Sequence, residues 1–156
     1  MMPAGVELSE GEQLMADAAE LAYRQITPKM YEDDGRIASH VFGPSTSDNG
    51  KPSYSRSSVV TAQEARDWHT ANANTPSDGV WAVSVGEVIE AQRYVVDDSN
   101  APLPADGVRA PGHCFVDFRG LSRNEKKDLR GKLLMHALTR GEIPTEGLLE
   151  DGQLFA

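Results

Sequence analysis

A single cysteine, a low aromatic content and the absence of any long apolar run set the first limits on this chain of 156 residues. With Cys114 alone, no intramolecular disulfide can form and a thiolate zinc cluster is excluded. No uncharged apolar stretch approaches the ~20 residues a membrane span requires. Met1 to Glu12 has neither the basic start nor the hydrophobic centre of an export signal, so the expected place of the chain is the cytoplasm. Cations are also scarce: 15 Lys and Arg stand against 24 Asp and Glu, for a net charge of −9. Neutralising a phosphate backbone needs the opposite balance, which argues against a nucleic-acid partner and suits a protein partner better.

Motifs that announce chemistry are missing as well. There is no glycine-rich dinucleotide or Walker loop, no His-Glu-x-x-His and no Gly-x-Ser-x-Gly. The histidines (His40, His69, His113 and His136) stand far apart, without the three- or four-residue spacing of paired ligands, so no metal site is expected.

What is present suffices for one folded domain. A hydrophobic fraction of 39% beside 25% charged residues lies well above the disordered range. Three segments open with a Ser or Thr followed three residues later by Glu: Ser9-x-x-Glu12, Thr61-x-x-Glu64 and Ser122-x-x-Glu125. In that pattern the hydroxyl and the carboxylate each satisfy an amide the helix leaves bare, so three helix starts are expected. The first helix would cover Glu10 to Ala22, with Leu14, Ala18 and Leu21 on one face. The second would run from Ala62 to Ala71. The third would carry Leu129, Leu133, His136, Ala137 and Arg140 on one face, with Gly141 and Pro144 ending it.

Strands are expected at 79–85, 93–96 and 113–118, where β-branched and aromatic residues concentrate, with weaker signals at 23–26 and 53–60. Cys114 falls inside one of these as a buried thiol. Residues 97–112 hold three prolines and two glycines and read as a loop. The resulting fold class is α+β, a single domain with a small mixed or antiparallel sheet and about three helices. The domain would span residues 23–141, preceded by a helical extension at 1–22 and followed by an acidic tail at 142–156.

Between Tyr23 and Ser58 hydrophobic periodicity fails and turn residues accumulate, so function is sought there. Arg24, near the end of a short strand, could offer its planar fork to a phosphate or carboxylate. Arg36, after an Asp-Gly turn, and Arg56, in the serine run, could converge with it as an anion site. The plain structural alternative pairs Arg24 with Asp117 or Glu87 inside the sheet. Glu87 could act as a general base in a cleft, or cap the helix that begins around it, and capping is the preferred role. The serine run, which includes Ser39 and Ser55, shows hydroxyls but no activating base at fixed spacing. Use in turns and edge strands accounts for it more simply.

The strings Tyr23-Arg24-Gln25-Ile26-x-Pro28 and Asp34-Gly35-Arg36-x-x-Ser39-x-x-Phe42-x-Pro44 resemble a group of short, uncharacterised bacterial proteins. The likeness extends through residues 79–87, 113–122 and the last helix to Gly141, and it implies a fold boundary near 23–141 without an activity. Two functions are expected from the size, the acidity, the missing catalytic motifs and the order of the candidate residues. One is a small acidic accessory or interaction protein, tied to a bacterial toxin, defence or mobile-element system. The other is an enzyme similar to the ADP-ribosyltransferase-like group, with NAD as cofactor, because Arg24, Ser39 or Ser55, and Glu87 occur in that group's Arg, Ser, Glu order.

Overall fold

Six short strands pair into one antiparallel sheet in the computed structural model, which describes residues 7–45, 49–73, 75–103 and 107–146. The strands are β1 (Gln13–Leu14), β2 (Leu21–Ile26), β3 (Ser53–Arg56), β4 (Gly79–Ser84), β5 (Val95–Asp97) and β6 (His113–Val116). Their order across the sheet is β1-β5-β6-β3-β2-β4. Three helices accompany them: α1 (Ala62–Asn72), α2 (Val85–Glu90) and α3 (Arg123–Arg140). The α+β class and the single sheet agree with the sequence.

Register and the two-residue alternation of strand side chains assign the two faces. Ala22 opposes Arg56 and Val83, Tyr54 opposes Cys114, and Val95 opposes Val116. These side chains share the face covered by α3, whose Leu129, Leu133 and Ala137 recur at four-residue spacing and are buried against them. Phe42, Val41 and Phe118 complete this core. The Tyr54 hydroxyl, fully buried, donates to the Phe42 carbonyl oxygen at 2.9 Å and fastens the 41–43 loop to the sheet. Cys114 lies in this core as expected, and burial raises its thiol pKa.

The opposite face carries Tyr23, Gln25, Ser53, Ser55, Val80, Ala82, His113 and Phe115. Helix α1 covers its β2–β4 side, burying Ala62 and Ala65. Over β3 and β6 the cover comes from residues 98–102 and 108–110 of a loop instead of a helix. This leaves a cleft.

The expected helix at Glu10–Ala22 does not form. Ser9 and Glu12 do bond each other (Ser9 N–H to the Glu12 carboxylate, 2.9 Å), but they close a turn that Gly11 continues at φ +78°, outside the helical region. Burial of Glu12 on Arg119 (3.0 Å) and pairing of β1 with β5 outweigh the local helical signal. Residues 7–22 are therefore no helical extension; β1 is an edge strand of the same sheet. The third helix is α2, opened by a Ser84-x-x-Glu87 box with both reciprocal bonds. Beyond Arg140, Ile143 bridges Val80 and the Glu146 amide donates to Gln63 (2.6 Å), so the described start of the tail packs on β4 and α1. The rest of the acidic tail (147–156), the first six residues, and Thr46 and Ser47 of the serine run lie outside the described residues.

Candidate functional site

The cleft over β3 and β6 encloses about 580 Å³. Tyr23, Gln25, Ser53, Ser55 and His113 belong to its sheet side, Ala65, Trp68 and His69 to α1, and Asp98, Ala101, Val108 and Arg109 to the connecting loop. Apolar walls with a few convergent polar groups are the usual make-up of a small-molecule site.

Three of those polar groups form a chain. His113 Nδ1 lies 2.7 Å from Asp98 Oδ1, and His113 Nε2 lies 2.9 Å from Ser53 Oγ. An ionised carboxylate only accepts, so with neutral imidazole the Nδ1 position carries the proton and donates to Asp98. The Nε2 lone pair then accepts from the Ser53 hydroxyl. His113 and Asp98 are largely shielded, with side chains 19% and 15% exposed, whereas Ser53 opens to solvent. Nucleophile, base and orienting acid stand in the relation that activates a serine.

Strand geometry places each member. Ser53 opposes Phe115 and Ser55 opposes His113, so Ser53 and His113 sit on one face of adjacent strands, a diagonal step apart. At the end of β5 two consecutive aspartates take opposite faces. Asp97 turns to Arg56 (2.8 Å) on the α3 side and accepts from the Ser99 amide (2.8 Å), while Asp98 turns to His113. Gly11 supports this turn from behind: a Cβ there would collide with the carbonyl of Asn100, so only glycine permits so close an approach.

Arg24 lines the cleft along β2, but its side chain turns to the α3 face with Ala22 and Tyr54, and it holds no acid. Its Nε–H donates to the Val41 carbonyl (2.9 Å), and its terminal nitrogens donate to the carbonyls of Ser53 (2.7 Å) and Gly43 (3.4 Å). The guanidinium lies 5.3 Å from the centre of the Tyr54 ring. Neither Asp117 nor Glu87 is its partner, contrary to the expected alternative; Asp117 is held by Arg119 (2.9 Å). Arg24 thus fixes the backbone of Ser53 to the 41–43 loop.

The three arginines do not converge as an anion site. Arg36 is 81% exposed and pairs with Asp34 (2.7 Å), beside Ser39, on a separate groove with Tyr31, Trp81 and Leu134. Arg56 is engaged by Glu20 at 2.9 Å from each oxygen and by Asp97. Glu87 caps α2 and meets Arg140 through both oxygens at 2.9 Å, with His136 at 3.3 Å. Burial acts to raise the Glu87 pKa, but Arg140 and the Ser84 amide outweigh it and hold the carboxyl below its ordinary range. The preferred capping role stands. Of the Arg24, Ser39 or Ser55, Glu87 series, the cleft brings together Arg24 and Ser55; Glu87 is bound elsewhere and is not disposed for a shared NAD site.

His69 also lines the cleft. Burial lowers its pKa, and its Nε2 lies 3.0 Å from the Thr75 carbonyl, so it is a neutral donor that shapes the wall. Among the described residues, no three His, Cys, Asp or Glu side chains gather as metal ligands would, and no helix is long and apolar enough to cross a membrane.

Ser53, Asp98 and His113 carried no sequence signal as a set. Their separations have no periodic meaning, and only the β3–β6 pairing and the turn after β5 unite them. No protein-family model, curated protein or solved structure matches the chain, and the reading of its site rests on this geometry.

Proposed function

We propose that this protein is a serine-dependent hydrolase of small esters or thioesters, with Ser53 as nucleophile, His113 as general base and acid, and Asp98 as the group that orients His113. The observation that carries the reading is the Asp98, His113, Ser53 chain at 2.7 and 2.9 Å on an open cleft. In the first step Ser53 Oγ bonds to the acyl carbon while its proton passes to His113 Nε2. The leaving alkoxide or thiolate departs with that proton, which leaves an acyl-Ser53. Water then attacks the acyl carbon and gives a proton to His113, and this proton returns to Ser53 Oγ as the acid leaves. Asp98 stabilises the imidazolium formed in each half and keeps its proton on Nδ1.

A fluorophosphonate probe tests this directly. The phosphorus bonds to an activated serine oxygen and fluoride leaves, so intact mass should rise by one phosphonyl group, mapped to Ser53 among all the serines. Labelling spread evenly over the serine run, or none at concentrations that saturate known serine hydrolases, would reject the reading.

A second reading, an interaction domain for a protein partner, draws on the other groove. It encloses about 530 Å³ between α3 and residues 31–39, and Leu138 on its rim is 47% exposed. The Trp81 indole N–H is buried there without a partner among the described residues, a donor that a partner's carbonyl could satisfy. Affinity capture from a bacterial lysate by the wild-type chain, lost in Leu138→Glu, is the expected result under this reading. Capture that Leu138→Glu leaves unchanged would set it aside.

A further inference from the structure

We infer that the ester this cleft accepts is anionic, bearing a carboxylate or phosphate group beside the bond to be cut; the inference rests on the assignment of Ser53 as nucleophile. The chain as a whole carries a net charge of −9, yet the cleft is lined by two cations, Lys51 and Arg109. Neither has a carboxylate partner among the described residues. Arg24 also lines the cleft, but strand alternation turns its side chain to the α3 face, where it donates to three carbonyl oxygens. Arg109 also donates to carbonyls, those of Ala101 (3.1 Å) and Pro102 (2.8 Å) most closely, which holds the loop next to Asp98 but leaves the positive charge uncancelled.

Lys51 is the most available. It lies two residues before Ser53, with its ammonium 5.8 Å from the centre of the Phe115 ring, and Phe115 is the cross-strand partner of Ser53. Of the lining acids, Glu12 is neutralised by Arg119, while Asp98 keeps its charge beside a neutral His113, so Lys51 and Arg109 together leave the cleft net positive. Gln25 adds an unmatched donor in the same wall, since its Oε1 accepts from Ser77 (2.6 Å) while its Nε2 is buried without a partner. A cationic cleft on an acidic surface concentrates anions and repels little of what it selects. The wall residues Tyr23, Trp68 and Val108 require the charged group to sit on an apolar body.

Binding to a Ser53→Ala variant separates this from the chemistry. Monomethyl glutarate and dimethyl glutarate differ by one negative charge, and phenyl phosphate supplies the phosphate alternative. Titration calorimetry should find at least one of the two anions about ten-fold tighter than the neutral diester, as one charge pair in a partly dry cleft supports. The tighter of the two identifies carboxylate or phosphate as the preferred group. Adding Lys51→Ala should bring the anions to within about two-fold of the diester. Equal affinities in Ser53→Ala, no binding of any probe, or a preference that survives Lys51→Ala would overturn the inference. A preference for anions together with failed phosphonylation of Ser53 would instead remove the nucleophile and leave an anion-binding cleft. Phosphonylation without any preference would do the reverse.

Discussion

Ser53→Ala should lower kcat/KM for an activated ester by about 10⁴-fold, and Asp98→Asn by a similar order, with both proteins still folded. Among the described residues the Ser53 hydroxyl bonds only His113, and it opens to solvent, so its loss should change stability by no more than about 0.5 kcal/mol. Asp98→Asn is the sharper test. Its amide can donate where the carboxylate could only accept, which favours the imidazole tautomer with its proton on Nε2, facing Ser53. The base is then presented the wrong way round although every heavy atom keeps its place. His113→Gln removes the base outright, and pairing it with Ser53→Ala should cost little more than either change alone, because the groups act as a unit. Rates measured beside thermal melts decide the matter. An Asp98→Asn protein with wild-type turnover would show that His113 needs no orienting acid.

The element types were largely readable because they rest on local chemistry. Thr61 with Glu64 and Ser122 with Glu125 cap α1 and α3 as expected, and Gly141, at φ +87°, ends α3. The same local signal failed at Ser9 with Glu12. There the carboxylate is drawn to Arg119, more than a hundred residues away, and Gly11 breaks the turn. Strand β5 begins two residues later than expected because Arg93 turns away to donate to the carbonyls of Asp117 and Arg119.

Site residues were harder to read because their meaning is set by non-local pairing. Arg24 and Ser55 both line the cleft, but Arg24 turns its side chain to the other face and is fastened to carbonyls, which have no sequence signature. Arg56 looked like a free cation until Glu20 and Asp97 were brought to it. Asp98 and His113 became partners only once alternation at the end of β5 sent two adjacent aspartates to opposite faces.

That alternation links the ion cluster on the α3 side to the cleft, and Arg56→Ala should be the most destabilising single change among the charged residues. Glu20, whose side chain is 4% exposed, accepts from two of the three Arg56 nitrogens at 2.9 Å and from the Ser58 hydroxyl at 2.6 Å. The Arg56 bond is the main cause that holds the Glu20 carboxyl below its ordinary value of 4.5, against the opposing effect of burial. A carboxyl whose pKa is lower in the folded state stabilises the fold above the unfolded pKa. It loses that contribution as pH falls through the folded value. Wild-type stability should therefore be level near neutrality and decline below about pH 4.5. Without the guanidinium, Glu20 and Asp97 face one another as shielded charges, at a cost of about 3–5 kcal/mol at pH 7. Burial then raises their pKa values, so acidification should narrow the gap between variant and wild type. Urea unfolding at pH 7 and near pH 4.5 measures both effects, and Arg56→Ala with Glu20→Gln should recover part of the loss by removing one of the stranded charges. A deficit equal at both pH values would mean that Arg56 acts through packing of its aliphatic stem, and the turn that aims Asp98 would then owe nothing to the ion cluster.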